Sequence, residues 1–323
     1  MVIFLSKKYY IAADGGGTKL QAILYDENFN IIRAQKTSGV NSLYKPRDVV
    51  EKNIDTLIDE LLGDEVKVLE SADVCLVMHD NYFERSLKAR CEVKKFNFHS
   101  EPATALGSAF ERRGVVALCG TGSDAFGVYP DGSYFRVGGW GPLFGDEGSG
   151  YDIGLQAFKA AFWDTDGRGK HTVMTDMIKE KWNVRDVWDL IGYFAKNPDA
   201  RHEIASAAML ASRAAAMGDE VALNIYRYSA DQMAITTNTA IRRLGDEWSG
   251  VVVTMGSAWK GHPVMFEDFC QKVKAEYPSA KITLPVFEPV VGCAVQRCFG
   301  EGLSAEDIKE KMLIGFSDYI YKI

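Results

Sequence analysis

The chain has 323 residues, of which 47% are hydrophobic and 25% charged, the balance of an ordinary soluble globular protein rather than a disordered or fibrous one. Its length predicts two domains and excludes a small disulfide-stapled fold. The net charge of −7 argues against nucleic acid or an anionic membrane surface as the main partner. Because no apolar run approaches the roughly 20 residues that cross a bilayer, and Lys7 and Lys8 follow the first apolar stretch, we expect a cytoplasmic protein without membrane contact.

The first third of the sequence predicts a three-stranded meander, followed by alternating helices and strands. Apolar runs at 9–14, 20–25 and 31–35 are separated by a glycine turn and by a polar turn at 26–28. The pattern then predicts a helix at 46–62, a strand at 73–78, a strand at 93–98 and a helix at 101–110. Strands that alternate with helices imply an α/β fold with a mostly parallel sheet.

The same order of strands and turns recurs after residue 112. Strands are predicted at 114–119, 125–129 and 134–137, again with a glycine turn after the first, which indicates an internal duplication. Helices are predicted through most of 148–244, before a strand at 251–255. We therefore expect one domain at 1–112 and a larger one at 113–323, with the last helix free to pack back on the first domain. Glycine turns in both domains suggest a ligand held between them and closure on binding.

The first glycine turn is a candidate phosphate site. Asp14 precedes three glycines, Gly15–Gly17, and Thr18 follows them. Glycines allow the backbone to approach a phosphate closely, and Thr18 adds a hydroxyl donor. Asp14 would lie on the side of the phosphate where a metal ion binds. The pattern is neither a P-loop nor a dinucleotide-binding fingerprint. A tight hairpin would explain one or two of the glycines, but three in a row favour the phosphate interpretation.

Two further turns extend this pattern. The segment 120–123 repeats the glycine–threonine chemistry; alone it would be an ordinary turn, but paired with the first it supplies the second half of a phosphate clamp. The segment 254–260 follows a buried strand and precedes a helix, so its N–H groups can face a nucleotide. Lys260 is equally compatible with a solvated surface lysine.

A glycine-rich loop at 138–150 contains six glycines, Trp140, Asp146 and a second acid. This composition favours a binding loop in which Asp146 accepts hydrogen bonds from sugar hydroxyls. The alternative is a solvated loop with Trp140 anchoring the core. Glu101 begins a predicted helix, where an acid also simply suits the helix dipole. The six cysteines form no C-x-x-C pair and the five histidines are scattered, so a zinc site is not expected.

These segments, in this order and over nearly the whole chain, resemble the N-acetylglucosamine kinase and BadF/BadG/BcrA/BcrD ATPase family of the actin-like sugar kinase superfamily. The resemblance implies two RNase H-like (actin-like ATPase) domains with ATP, Mg²⁺ and a sugar in the cleft between them. It implies Glu101 as the catalytic base, which takes the proton of the sugar hydroxyl, and Asp14 as the acid near magnesium. It is also compatible with a homodimer.

The resemblance assigns the remaining site residues by position. It implies ATP-binding roles for Gly15, Gly16, Gly17, Thr18, Lys19, Thr121, Gly122, Ala214, Gly256, Ser257 and Lys260. It implies sugar-binding roles for Asn41, Glu101, Ser123, Asp124, Gly139, Trp140, Gly141 and Asp146.

The sequence departs from the family pattern on the acceptor side. Glu101 and Asp124 stand where an Asp and an Asn are usual, Ala214 replaces an adenosine-contacting Gly, and 76–80 lacks the usual small pair. Three functions therefore remain open. The first is an ATP-dependent kinase of N-acetylglucosamine or a related amino sugar or hexose. The second is a nucleotide- or sugar-binding member with altered or lost activity. The third is a dehydratase-activating ATPase, which needs cysteines that share an iron–sulfur cluster.

Overall fold

The computed structural model describes residues 7–17, 19–40, 46–77, 81–196 and 200–322. It has these strands: β1 (Tyr9–Gly15), β2 (Lys19–Asp26), β3 (Ile31–Ser38), β4 (Val68–Leu69), β5 (Ser71–Leu76), β6 (Glu92–Val93), β7 (Phe96–Phe98), β8 (Gly114–Cys119), β9 (Ser123–Val128), β10 (Tyr134–Gly138), β11 (Val251–Met255) and β12 (Lys281–Thr283). Its α-helices are α1 (Arg47–Leu62), α2 (Tyr82–Lys88), α3 (Glu101–Ser108), α4 (Gly150–Asp166), α5 (Met174–Trp182), α6 (Asp189–Lys196), α7 (Arg201–Ser206), α8 (Ala208–Ala216), α9 (Glu220–Leu244), α10 (Pro263–Glu276), α11 (Pro289–Gly300) and α12 (Ala305–Gly315). Within the described residues, none of these helices has the length and apolar character needed to span a membrane.

The chain divides into two compact units. Unit 1 comprises 1–112 and 285–321, and unit 2 comprises 113–284 with the last two residues. The sequence analysis placed the whole of 113–323 in one domain, apart from a last helix free to pack back. The segment 285–321 belongs to unit 1 because α11 packs directly on β1, β5 and α3. Such a return of the chain leaves no mark in local composition.

The sheet of unit 1 has the strand order β3-β2-β1-β5-β7. The first three strands form an antiparallel meander, whereas β1–β5 and β5–β7 are parallel pairs. The expectation of a mostly parallel sheet was therefore wrong, because two of the four strand pairs are antiparallel. Alternate residues of β1 face opposite cores: Ile11 and Ala13 pack with α1, and Tyr10 and Ala12 pack with α11.

The predicted strand at 93–98 is divided in the structure. β6 pairs with β4 in a separate two-stranded sheet, and β7 pairs with β5 in the main sheet. The backbone changes partner in between, since Lys94 N donates to Leu69 O while Lys95 O accepts from Ala72 N. Continuous apolar character could not reveal this change of partner.

The sheet of unit 2 has the order β10-β9-β8-β11-β12, with two antiparallel pairs followed by two parallel pairs. This is the topology of unit 1, strand for strand, which confirms the predicted duplication. The long helix α9 packs across β8, β9 and β10, and α10 packs against α9. The first strand of each sheet is followed by a glycine turn, so the two candidate phosphate turns occupy the same place in the two units.

Candidate functional site

The first candidate turn lies between β1 and β2. Gly16 N donates to Lys19 O, and Val40 N donates to Gly16 O, so backbone hydrogen bonds fix the turn from both sides. Gly39 packs so closely on the turn that a Cβ there would overlap the Gly17 carbonyl. Thr18 and Asn41 lie outside the described residues. The segment that leads to Asn41 is nevertheless joined to the turn through Gly39 and Val40.

Gly16 and Gly17 differ from the other glycines of this region. A Cβ built at either position would meet none of the described residues within 4 Å, and neither glycine is among those with positive φ. Neither crowding by the described part of the chain nor a left-handed backbone therefore requires glycine here. A ligand that approaches the backbone closely would explain why both residues are glycine.

We expect the double substitution Gly16→Ala/Gly17→Ala to leave the melting temperature almost unchanged and to weaken ATP binding by about tenfold or more, because two methyl groups would hold a phosphate off the N–H groups. Isothermal titration calorimetry with ATP measures this effect. Gly39→Ala is the contrasting variant: its Cβ overlaps backbone, so it should lower the free energy of unfolding by about 1–3 kcal/mol. A double variant that bound ATP like the unmodified chain would exclude this turn as a phosphate site.

Three carboxylates gather at the end of β1 in unit 1. Asp14 is the penultimate residue of β1, Glu101 is the first residue of α3, and Glu288 is the N-cap residue of α11. Burial raises the pKa of Asp14 to about 7, and the charges of Glu101 and Glu288 add to this rise, whereas Lys19 opposes it. The end of β1 therefore holds excess negative charge that a cation would relieve.

Close packing between α3 and α11 places two of these acids. A Cβ at Gly292 would overlap the Thr104 carbonyl, and one at Gly107 would lie 2.8 Å from Gly292 O. Gln296 Nε2 also donates to Ala103 O at 2.6 Å. The two helices thus lie backbone to backbone, and their N-terminal acids both act electrostatically on Asp14. Glu288 was not among the predicted site residues, although an acid before Pro289 is a helix-start signal.

The residues before Glu101 are firmly held. Ser100 caps α3, with its Oγ accepting from Ala103 N at 3.3 Å. The His99 ring contacts the fully buried carboxylate of Asp73 at 2.9 Å, and His99 N donates to Val74 O. Glu101 itself is exposed. Its backbone is therefore rigidly positioned while its carboxylate stays accessible to an acceptor.

In unit 2 the turn at 120–123 is held against the start of α4. Gly150 N donates to Gly120 O and Tyr151 N donates to Thr121 O. Gly122 is close to the Asp146 carboxylate, since a Cβ at this glycine would lie 2.9 Å from Asp146 Oδ2. The turn, the glycine-rich loop and α4 thus form one connected structure.

Asp146 connects this turn with the loop. It is buried, has a positive φ of 61°, and accepts hydrogen bonds from the backbone N–H groups of Ser123 and Gly141. Arg201 Nη2 donates to Asp146 Oδ2 at 2.9 Å. Burial raises the pKa of Asp146, while the Arg201 charge and the N–H groups oppose this rise. The carboxylate proposed to bind sugar hydroxyls therefore already positions three protein segments, and no local pattern indicated Arg201.

Replacing Arg201 by methionine would leave the Asp146 carboxylate buried without its counter-charge. We expect a loss of about 2 kcal/mol in the free energy of unfolding at pH 8, less than for a fully buried pair because Arg201 is 26% exposed. The loss should shrink at pH 5, where Asp146 can take up a proton. Thermal melts at both pH values measure it, with Arg201→Lys as partial rescue and the exposed Arg213→Met as the control. Equal losses at both pH values would contradict this role.

The other predicted sugar residues lie around this loop. Ser123 Oγ donates to Glu147 O at 2.7 Å, and the buried Asp124 pairs with Gly138 in the β9–β10 ladder, near Gly139. Trp140 is 72% exposed, which rules out the alternative that it anchors the core. An exposed indole beside Gly139 and Gly141 remains available to a ligand.

The residues predicted to bind adenosine differ in their exposure to solvent. Gly256, with φ of 115°, passes so close to Cys119 O that no side chain fits there. A 3₁₀ turn, Ser257–Lys260, comes next, with Ser257 exposed and Lys260 half-buried. Within this turn the buried Trp259 donates its indole N–H to Ala117 O at 3.1 Å and so anchors the turn. Ala214 is fully buried in the core of unit 2. Its methyl group therefore packs within the core, and the adenosine role of this position stays a prediction.

The side chains at these sites fit magnesium bound together with a nucleotide better than a metal ion held by protein ligands alone. Within the described ranges, no group of three or more His, Cys, Asp or Glu side chains could hold a metal ion. Mg²⁺ bound with a nucleotide needs only one or two carboxylates, because phosphates and water supply its other ligands. Asp14, half-buried among negative charges, fits that requirement.

Two α/β units with one repeated sheet topology, each with a glycine turn after its first strand, define a duplicated α/β protein. Residues 13–296 match the model of the BadF/BadG/BcrA/BcrD ATPase family. The chain belongs to this family, as the resemblance of its motifs predicted.

Individual relatives agree with this assignment. The chain is 29% identical over 287 residues to an N-acetylmuramic acid/N-acetylglucosamine kinase of Clostridium acetobutylicum, covering 85% of this chain and 93% of that one. It is 28% identical over 315 residues to an N-acetyl-D-glucosamine kinase of Dictyostelium discoideum, covering 90% and 98%. The solved structure of a candidate N-acetylglucosamine kinase from Porphyromonas gingivalis has the same fold, with a TM-score of 0.70, 14% identity and coverage of 91% and 100%.

Proposed function

We propose that this protein is an ATP-dependent kinase that phosphorylates N-acetylglucosamine or a related amino sugar or hexose. The observation that carries the proposal is the pair formed by an exposed carboxylate, Glu101, and a metal-compatible carboxylate, Asp14, at the end of β1. Family membership and the activities named for the two kinase relatives support it.

In this proposal the glycine turns hold the nucleotide. Each turn is proposed to approach a phosphate through its backbone. Gly16 N already donates to Lys19 O and Gly120 N to Gly122 O, so the other N–H dipoles of the turns supply the attraction that the net negative charge of the protein does not. Gly256, Ser257 and Lys260 lie toward the adenosine. Asp14 would hold Mg²⁺, which supplies charge neutralisation at the transferred phosphate. Thr18, Lys19 and Thr121 are proposed as further phosphate-side donors.

The acceptor is activated by Glu101. Its carboxylate takes the proton of a sugar hydroxyl while the hydroxyl oxygen attacks the terminal phosphorus of ATP, and ADP leaves. The proposed sugar contacts are Asn41, Ser123, Asp124 and the loop residues Gly139, Trp140 and Gly141. Asp146 contributes chiefly by fixing that loop, because Ser123, Gly141 and Arg201 already donate to it.

The two other functions have less support. A dehydratase-activating ATPase needs cysteines accessible to a shared iron–sulfur cluster, yet five of the six cysteines here are buried and the sixth is half-buried. A non-catalytic binding member would need a disabled base, whereas Glu101 is exposed on a well-fixed helix start. The cleft between domains, the homodimer and the cytoplasmic location stay predictions from the sequence.

The experiment that tests the proposal is ADP release from magnesium ATP with a panel of sugars. The panel contains N-acetylglucosamine, N-acetylmuramic acid, N-acetylmannosamine, glucosamine, glucose and a sugar-free control. We expect one of the amino sugars to stimulate ADP release strongly over the sugar-free rate. ATP binding without stimulation by any sugar would refute the kinase and favour the non-catalytic binding member.

A further inference from the structure

We propose that unit 2 carries a second carbohydrate site, lined by none of the residues assigned above to ATP or sugar, in a groove between α5, α6 and α7. The groove has a volume of about 330 Å³, at the lower end of the range for small-molecule sites. It is lined by Lys181, Trp182, Asn183, Tyr193, Glu203 and Ser206. We call it the α7 groove.

The polar groups of the α7 groove are already oriented. The Glu203 carboxylate accepts from the Tyr193 hydroxyl at 2.6 Å and from the Trp182 indole N–H at 3.3 Å. Lys181 Nζ donates to Ser206 O at 2.9 Å and to Ser206 Oγ at 2.6 Å. These bonds hold the lining side chains in place, and a carboxylate and an ammonium can each form further hydrogen bonds, so a ligand that bonds to them would lose little side-chain entropy on binding.

The chemistry of the lining favours an uncharged sugar. A pyranose ring has an apolar C–H face and a rim of hydroxyls, so it requires aromatic surface next to polar side chains. The partly exposed ring of Tyr193 supplies the first, and Asn183 and Glu203 supply the second, whereas the Trp182 ring already carries the Lys181 ammonium 4.8 Å from its centroid. One ammonium and one carboxylate balance in charge. A phosphorylated sugar would place its dianion near Glu203 and is disfavoured.

The α7 groove is structurally connected to the glycine-rich loop. Glu203 and Arg201 both lie on helix α7, and Arg201 donates a hydrogen bond to the Asp146 carboxylate. A sugar in the groove therefore contacts the helix that positions the loop at 138–150. The inference goes beyond the proposed function, since the groove could bind a sugar whether or not the protein phosphorylates one.

Fluorine NMR of protein labelled with 5-fluorotryptophan tests the site. Trp182→Phe identifies the resonance of the groove, and Trp140→Phe identifies that of the glycine-rich loop. On titration with N-acetylglucosamine or glucose into the millimolar range, the Trp182 resonance should shift saturably, because its indole N–H bonds to Glu203. Glu203→Ala should weaken that response by about tenfold or more, since a charged hydrogen-bond partner is lost. Exposed Glu180 provides the matched control, Glu180→Ala, which should leave the response unchanged.

The two resonances separate the two proposals. A shift of Trp140 with no shift of Trp182 overturns the groove site and leaves the proposed kinase intact. A shift of Trp182 that survives in Glu203→Ala also overturns it. A response to glucose 6-phosphate stronger than that to the neutral sugars would contradict the chemistry assigned to the groove.

Discussion

Glu101→Gln is expected to slow phosphate transfer to the sugar by about 10²–10⁴-fold, the usual effect of removing a general base. ATP affinity should change little, because the amide keeps the size of the side chain and the glycine turns are untouched. Steady-state ADP release with the best sugar of the panel measures the rate. The matched control is Glu306→Gln, which also changes an acid in the first turn of a capped helix of unit 1.

Glu101→Asp sharpens this test. The shorter side chain withdraws the carboxylate by about 1 Å, and a displacement of this size costs roughly a hundredfold in rate if the site is built for glutamate. An Asp variant as active as the unmodified protein would show that the site is not built around the length of the glutamate side chain.

Asp14→Asn is expected to have the second largest effect. A neutral amide cannot supply the charge that holds Mg²⁺ beside the phosphates, and loss of one such electrostatic group costs about 10²–10³ in turnover. The magnesium concentration needed for half-maximal rate should rise as well. Lys36→Gln, which removes an exposed charge from β3, should be far milder. An Asp14→Asn variant with unchanged magnesium dependence would contradict this role.

The same substitution should stabilise the metal-free protein. Asp14 has its pKa raised by burial and by Glu101 and Glu288, so the folded chain holds a proton that the unfolded chain loses from about pH 4 upward. Stability is therefore lost as pH rises toward the folded pKa of about 7. Asn avoids this loss. In EDTA, thermal melts should show a variant more stable than the unmodified chain at pH 8, with little difference at pH 4; a less stable variant at pH 8 would contradict the buried charge.

Local sequence patterns predicted those features that depend on neighbouring residues. The glycine turns after Asp14 and Cys119, and the strand periodicity around them, revealed the duplication that the two sheets share. The capped start of α3 at Glu101 was equally visible, because a Ser followed by an acid and a proline is a local signal.

Features that depend on distant packing were missed. Glu288 reaches Asp14 only because α11 returns to unit 1 and packs on α3 through Gly292. Arg201 reaches Asp146 across 55 residues of sequence. No periodicity or composition encodes these contacts.

Phosphorus NMR of a reaction that contains the protein, magnesium ATP and N-acetylglucosamine tests the proposed phosphate transfer most directly. We expect a sugar phosphate monoester and ADP to appear in equal amounts, and neither to appear above background with Glu101→Gln. ADP accompanied by inorganic phosphate, with no sugar phosphate for any sugar of the panel, would contradict a sugar kinase and show an ATPase instead.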